Sequence, residues 1–207
     1  MDTVDSNTAA SSATAAIDAV VDDQWSRLGE AGTWMTGDER IDLIRIARDP
    51  AAEVDVDLPT RAAAAAVAHR AASITARTVD DIESGGLERE RYVEIVGVIS
   101  RVVAIDTFER GIGRAPREVP TARPGQPSRS VVAAARRRAG WVPTVGAIGP
   151  STALEAVPAE AAAQKMLHGA LYLSYPDMAD LNAERGLTRA QMELVAARVS
   201  YLNDCLF

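Results

Sequence analysis

The chain has 207 residues, of which 47% are hydrophobic, 25% charged and 4% aromatic, and 22 basic against 29 acidic residues give a formal charge of −7. This acidic balance makes nucleic-acid backbones and anionic membrane surfaces poor partners. A single cysteine excludes an internal disulfide, and no basic start followed by an apolar run signals secretion, so we expect a cytoplasmic protein.

Abundant alanine and scarce aromatic residues predict an all-α fold. Residues 1–13 are small and polar, and we expect them to form a loose, disordered tail. Residues 14–113 should form an N-terminal helical half. Within it, Thr36 and Glu39 fit a capping box that opens a helix, and Asp49-Pro50 closes that helix.

The rest of this half leads to the most hydrophobic helix of the chain. His69 lies on an alanine-rich helix, where a packed or hydrogen-bonded scaffold role is favoured over a site role. Gly85-Gly86 is suited to a left-handed helix end. The helix that follows reads ERERYVEIVGVISRVVAIDTFERGIG, and because its apolar positions nearly encircle it, we expect it to be central.

Residues 114–150 contain six of the ten prolines, which predicts a long irregular connection. Its arginine run, Arg136 to Arg138, suits either an anion site or a solvated or internally ion-paired face, and the second is favoured in an acidic protein. We expect Trp141 to anchor this connection on the core.

Residues 151–207 form the C-terminal helical half. Pro158 fits a first helical turn, and Thr188 with Gln191 fits a second capping box. His168 is expected to be a surface or half-buried helix residue.

The last helix repeats the pattern of the central one. Aligning Glu94 with Glu193 pairs YVEIVGVISRVVAIDTF with QMELVAARVSYLNDCLF, and it places Asp106 opposite Cys205. Each helix also follows a Gly-Leu pair, which indicates two pseudo-repeated halves, although two copies are weaker support than a longer array. Only the second half carries a thiol.

Glu193 and Cys205 are 12 residues apart, which on one straight helix separates their Cα atoms by about 18 Å along the axis. They cannot touch in that geometry. If the helix ends near Asn203-Asp204, the chain can fold back and place Cys205 in the first turn of a new helix, where amides lower a thiol pKa and a carboxylate can relay a proton.

The E-x11-C spacing at the end of an LNxC helix resembles the alkylhydroperoxidase-D-like, carboxymuconolactone decarboxylase superfamily. Its peroxidase branch carries E-x11-C-x-x-C-x-x-x-H, matched here by Glu193 and Cys205. The segments GTWMTGDER, AVAHRAASI, RPGQPSR and WVPT also look like a two-half, peroxidase-related subgroup. The resemblance extends from about Trp25 to the end, while the second cysteine and the histidine of the motif would follow Phe207.

This resemblance implies a helical alkylhydroperoxidase-D-like fold, assembly into trimers or hexamers, and neither a metal nor an organic cofactor. It implies reduction of a hydroperoxide at the expense of a thiol or dithiol reductant, with Cys205 as the resolving cysteine and Glu193 as the proton relay. The decarboxylase branch uses another polar constellation, which does not map onto this chain.

Two hypotheses follow from the missing second cysteine. In the first, the family activity is thiol-dependent peroxide reduction and the motif is interrupted, through a UGA codon for selenocysteine read as a stop, a frameshift or an artificial chain end. In the second, the chain is a non-catalytic helical scaffold or partner subunit, because Asp106 shows that the helix pair exists without a thiol. Cys205 is then a small residue at a frayed end, and Glu193 pairs with Arg189 or Arg198.

Overall fold

The computed structural model describes residues 3–149 and 152–203, with side chains from residue 14 onward. The described residues form the α-helices α1 (Thr3–Arg27), α2 (Gly37–Arg48), α3 (Leu58–His69), α4 (Ala76–Ser84), α5 (Arg89–Gly111), α6 (Pro158–Leu171), α7 (Tyr175–Met178) and α8 (Arg189–Leu202). Helices hold 56% of the chain, with almost no strand, which confirms the all-α prediction. The alkylhydroperoxidase-D-like arrangement stays a prediction.

Helix α1 begins at Thr3, inside the segment for which the composition predicts a loose tail. The segment contains alanines at positions 9, 10 and 13, and alanine is the strongest helix former. A helix already nucleated by residues 14–27 extends through such residues at small cost, because each added residue gains one backbone hydrogen bond.

Local signals in the sequence set several helix ends as predicted. The Thr36 side chain accepts a hydrogen bond from the Glu39 amide, and the Glu39 carboxylate accepts one from the Thr36 amide at 2.7 Å. The Thr188 and Gln191 pair forms the same capping box at the start of α8. After α4, Gly86 adopts φ +102°, a left-handed conformation that favours glycine.

Helix α5 is the centre of the bundle, as its encircling apolar pattern predicts. It packs against α1, α2, α3 and α6. Its fully buried apolar side chains are Val93, Ile95, Val98, Ile99, Val102 and Ile105. Because α5 has neighbours on several sides, the helix needs an apolar surface around most of its circumference.

The connection between α5 and α6 runs across the chain's own helices. Its described part contains no α-helix, and it is held by backbone hydrogen bonds from Arg123 to Gly29 at 2.7 Å and from Arg129 to Thr33 at 2.8 Å. The indole of Trp25 on α1 also donates to the carbonyl of Glu118 at 2.7 Å. These bonds make the connection part of the bundle surface.

Helices α5 and α8, which share a sequence pattern, have opposite environments. Each begins three residues after a glycine with positive φ, Gly86 and Gly186. Only Met192 is buried on α8, however. The large apolar side chains of α8 that are exposed are Leu194, Val195, Val199, Tyr201 and Leu202. Helix α6 instead contributes to the same core as α1 to α5.

The close contact between α5 and α6 predicts that Gly97→Ala destabilises the fold. A Cβ at Gly97 would lie 2.7 Å from the Cβ of Glu160, a distance at which atoms overlap. We expect a loss of about 1–3 kcal/mol in the free energy of unfolding, measured by urea titration followed by circular dichroism.

Gly111→Ala is the matched control, because it lies on the same helix and its added Cβ would meet nothing within 4 Å. We expect it to be neutral or slightly stabilising. Equal stability of the two variants would contradict the packing described here.

Candidate functional site

Glu193 lies in the second turn of α8, and its carboxylate is half-exposed. Its Oε1 accepts hydrogen bonds from the Tyr172 hydroxyl at 2.9 Å and from Arg189 Nε at 2.8 Å. The capping box at Thr188 fixes the start of the helix, and it therefore fixes the direction in which Arg189 and Glu193 leave it. The predicted pairing with Arg189 is confirmed.

Tyr172 and His168 extend this polar group onto the end of α6. Burial, together with the hydrogen bond to Glu193, raises the pKa of Tyr172, so its phenol stays protonated and donates. The Nδ1 of His168 lies 2.7 Å from the Leu173 carbonyl, which can only accept, so Nδ1 carries a proton. The His168 ring packs edge-on against Tyr172 at 5.6 Å between centroids. His168 is half-buried, as predicted.

Cys205 lies outside the residues that the structure describes, so its distance from Glu193 stays a prediction. Helix α8 ends at Leu202, and the Asn203 side chain donates to the Val199 carbonyl at 2.8 Å. The predicted helix end at Asn203 is therefore confirmed. An unbroken helix separates Glu193 from Leu202 by about 13.5 Å along its axis.

The matched position in the first half, Glu94, is fully buried inside the bundle. Its Oε2 accepts a hydrogen bond from the Trp34 amide at 2.6 Å, and its Oε1 lies 3.0 Å from Arg40 Nη1. The loop before α2 supplies Trp34, and α2 supplies Arg40. Both oxygens of this carboxylate are thus committed to the protein itself.

Glu94 belongs to an ion cluster of two glutamates and two arginines, which we call the central ion cluster: Arg40, Glu94, Arg101 and Glu160. Arg40 bridges the two carboxylates, with 3.1 Å between its Nη1 and Glu160 Oε1. Arg101 Nη2 lies 2.6 Å from Glu160 Oε2. All four side chains are at most 5% exposed, and their formal charges cancel.

Burial shifts the ionisation of this cluster in both directions. It raises the pKa of Glu94, an effect that Arg40 and the Trp34 amide partly offset. It also lowers the pKa of Arg101, which the nearby Glu160 partly offsets. A guanidinium titrates so far above neutral pH that Arg101 remains charged. The arrangement keeps paired charges in place and leaves no group of the cluster open to a substrate.

Asp106, at the position that matches Cys205, is likewise occupied. Arg48 forms a two-pronged ion pair with it, at 2.9 and 2.8 Å. The same guanidinium lies 5.0 Å from the centre of the Trp25 ring. At the positions that match Glu193 and Cys205, the first half therefore has Glu94 paired with Arg40 and Asp106 paired with Arg48. These ion pairs support a structural role for the first half.

The remaining candidates have structural partners. His69 Nε2 lies 2.9 Å from the Ile46 carbonyl, so the predicted scaffold role is supported. Within the arginine run, Arg136 donates to the Ala135 carbonyl at 2.8 Å, Arg137 pairs with Asp80 at 2.9 Å, and Arg138 donates to the Thr144 carbonyl at 2.9 Å. These contacts favour the internally paired interpretation over an anion site.

Sequence reasoning missed Tyr172 and most of the central ion cluster. Tyr172 precedes Glu193 by 21 residues and directly follows α6, whereas Glu193 lies on α8, so no local sequence pattern connects them. The arginine at 101 and the glutamate at 160 did give a signal, because each interrupts an apolar helical stretch. A charged residue in such a place is buried only when it is paired.

Neither a metal centre nor a membrane span emerges from the described ranges. No group of three or more His, Cys, Asp or Glu side chains there could hold a metal ion. Among the helices described, none combines the length and apolar character needed to cross a bilayer. Comparisons of the chain with protein-family models, with curated proteins and with solved structures found no match.

The central ion cluster predicts that Glu160→Gln is strongly destabilising, because it leaves Arg101 buried without its counter-ion. We expect a loss of about 3–5 kcal/mol in the free energy of unfolding, measured by urea titration. The double variant Arg101→Met with Glu160→Met should recover most of this loss, since it removes both charges.

Glu193→Gln provides the control, because Glu193 pairs with Arg189 at the surface and should change stability by less than about 1 kcal/mol. If Glu160→Gln were as stable as the unchanged protein, the cluster would not be the buried, obligatorily paired group described here.

Proposed function

We propose that the chain takes part in thiol-dependent reduction of hydroperoxides, with Cys205 as its redox residue and Glu193 as its proton relay. The proposal rests on the resemblance of the E-x11-C pattern to the alkylhydroperoxidase-D-like superfamily. The structural observation that supports it is the solvent-accessible carboxylate of Glu193, on the helix that precedes Cys205 in the sequence. This carboxylate accepts a hydrogen bond from the protonated phenol of Tyr172 at 2.9 Å.

The chemistry requires a second thiol, because Cys205 is the only cysteine of the 207 residues. An attacking thiolate from outside these residues displaces an alcohol from the hydroperoxide and becomes a sulfenic acid. The Cys205 thiolate then attacks that sulfur, expels water and forms a disulfide, and an external dithiol reduces the disulfide to two thiols. Each turnover consumes one hydroperoxide and one dithiol.

Glu193 would move the proton that these steps release and consume. In this proposal the proton passes between Glu193 and Cys205 through water. Tyr172 keeps the carboxylate oriented, and the half-exposed position lets it exchange protons with solvent. A cysteine that cycles in this way also fits the reducing cytoplasm.

The test is consumption of a hydroperoxide by the purified chain in the presence of a dithiol and a monothiol that can serve as the attacking partner. We expect Cys205→Ser to abolish turnover and Glu193→Gln to lower it by at least about tenfold, since general acid–base groups contribute that much or more. Glu184→Gln, an exposed glutamate just before α8, is the matched control and should leave turnover unchanged.

Turnover that survives in Cys205→Ser would contradict the proposal. Full activity in Glu193→Gln would remove Glu193 from the mechanism while leaving the role of Cys205 in place. Absence of turnover in every variant would favour the second candidate.

The second candidate is a non-catalytic scaffold or partner subunit that assembles with copies of itself. It is favoured by the row of exposed apolar side chains on α8, where Leu194 is 72% and Val199 53% exposed. Contiguous apolar surface of this kind typically marks a protein interface. We propose that α8 packs against the same helix of other copies, in the trimer or hexamer that the family resemblance implies.

This assembly predicts a particle of three or six chains by size-exclusion chromatography with light scattering. Leu194→Glu should shift the particle to a monomer, because it places a charge in an apolar contact. Leu58→Glu, at an 80% exposed leucine on α3, is the control and should leave the mass unchanged. A monomeric unchanged protein would contradict the assembly.

A further inference from the structure

A cavity of about 570 Å³ lies beside α5, covered by the last part of the connection. Its lining includes Val67, Val79, Tyr92, Val96, Trp141 and Ile148. Small-molecule pockets typically have volumes of roughly 300–1,000 Å³, so this cavity is large enough for a ligand of two or three rings. Most of the lining atoms are apolar.

The lining carries no charged side chain among the described residues. Arg89, at the start of α5, is engaged by Asp80 and Glu83 at 2.5 and 2.6 Å. Arg137 pairs with Asp80 as well. A charged ligand would lose its water here without gaining a counter-ion, so the cavity suits a neutral one.

Thr144 is a polar residue of this lining. The residue is 3% exposed, and its Oγ1 is itself enclosed and has no hydrogen-bond partner among the described residues. The backbone of Thr144 is already used, in a two-way bridge with Arg136 at 3.0 and 3.1 Å. A buried hydroxyl without a partner is unfavourable. Rotation of the Thr144 side chain about χ1 would turn the hydroxyl toward the cavity, where a polar atom of a bound molecule would satisfy it.

The rim of the cavity is apolar and open to solvent. Trp141 is 45% and Ile148 50% exposed, although both are large apolar side chains next to an apolar space. A molecule in the cavity would contact their inner faces and remove part of this surface from water. The Trp141 side chain thus lines the cavity and is not packed into the core, so the prediction that it anchors the connection on the core is wrong.

The cover of the cavity is held in place before any ligand binds. Arg89 Nη1 donates to the Trp141 carbonyl at 2.5 Å, and Arg138 donates to the Thr144 carbonyl at 2.9 Å. The Val145 amide also donates to the Glu155 carboxylate at 3.2 Å. A site that is already formed loses little conformational entropy on binding.

From these observations we infer that the cavity binds a neutral, mostly hydrocarbon or aromatic small molecule with one hydroxyl or carbonyl group for Thr144. The site is separate from the proposed redox group, because α3, α4, α5 and the connection line it, whereas Glu193 lies on α8. Binding should therefore persist in Cys205→Ser, so this inference and the proposed function can fail independently.

The location is tested with N-phenyl-1-naphthylamine, a neutral probe whose fluorescence rises in apolar sites. We expect saturable binding to the full chain and a loss of affinity of at least about tenfold in Val96→Phe, which fills the cavity. Val103→Phe makes the same change two turns along α5 at an exposed position, and its affinity should stay within about twofold.

Trp141→Gln changes a half-exposed residue of the lining, and it should also lower the affinity for the probe. Thermal melting of each variant reports whether it is folded. Absence of saturable binding to the unchanged chain would overturn the inference. Binding of the probe by Val96→Phe and Trp141→Gln with the same affinity as the unchanged chain would also overturn it.

The role of Thr144 is tested with two probes of similar size, 1-naphthol and naphthalene. Thr144→Val removes the hydroxyl but keeps the shape, so it should weaken 1-naphthol by about threefold to tenfold, the value of one hydrogen bond. Naphthalene should bind both forms equally. An identical change for the two probes would overturn the assignment of Thr144.

Discussion

The charges of two glutamates and two arginines neutralise one another at the centre of the bundle. The helices around α5 are arranged so that these four side chains can pair. Arg40 lies between Glu94 and Glu160, and it thereby connects α2, α5 and α6 through a single guanidinium. Burial of an unpaired charge would cost several kcal/mol, so these helices have little freedom to shift relative to one another. Gly97 follows from the same constraint, because only a residue without a side chain lets Glu160 approach α5.

The same sequence pattern serves different purposes in the two halves because its surroundings differ. In α5 the glutamate and aspartate of the pattern are closed off by Arg40 and Arg48. In α8 the matched glutamate faces solvent and binds a tyrosine and a neighbouring arginine. Chemistry with an external molecule requires access, so we assign the proposed redox activity to the second half. Helix α5 in the first half packs against α6, and Tyr172 directly follows α6. The first half therefore helps to hold Tyr172 in place.

Much of the fold followed from the sequence because it depends on local interactions. The box at Thr36, the left-handed Gly86 and the proline-rich connection are read from short segments, and the structure has them where they were predicted. The central ion cluster was not predicted, since it joins residues up to 120 positions apart through tertiary packing alone. The cavity was missed for the same reason, because the connection bearing Trp141 forms one wall and α5 another. At the start of α1 the difference has a local cause. The polar composition of residues 1–13 predicted a loose tail, whereas the helix begins at Thr3 because the alanines there favour helix.

The most direct test of the account is the chemical state of Cys205 after exposure to a hydroperoxide together with glutathione, read by peptide mass spectrometry. The proposed mechanism predicts a glutathione mixed disulfide on the peptide that contains Cys205, formed more slowly in Glu193→Gln and reversed by a dithiol. A Cys205 that remains an unmodified thiol under these conditions, while glutathione itself is oxidised at the uncatalysed rate, would contradict it.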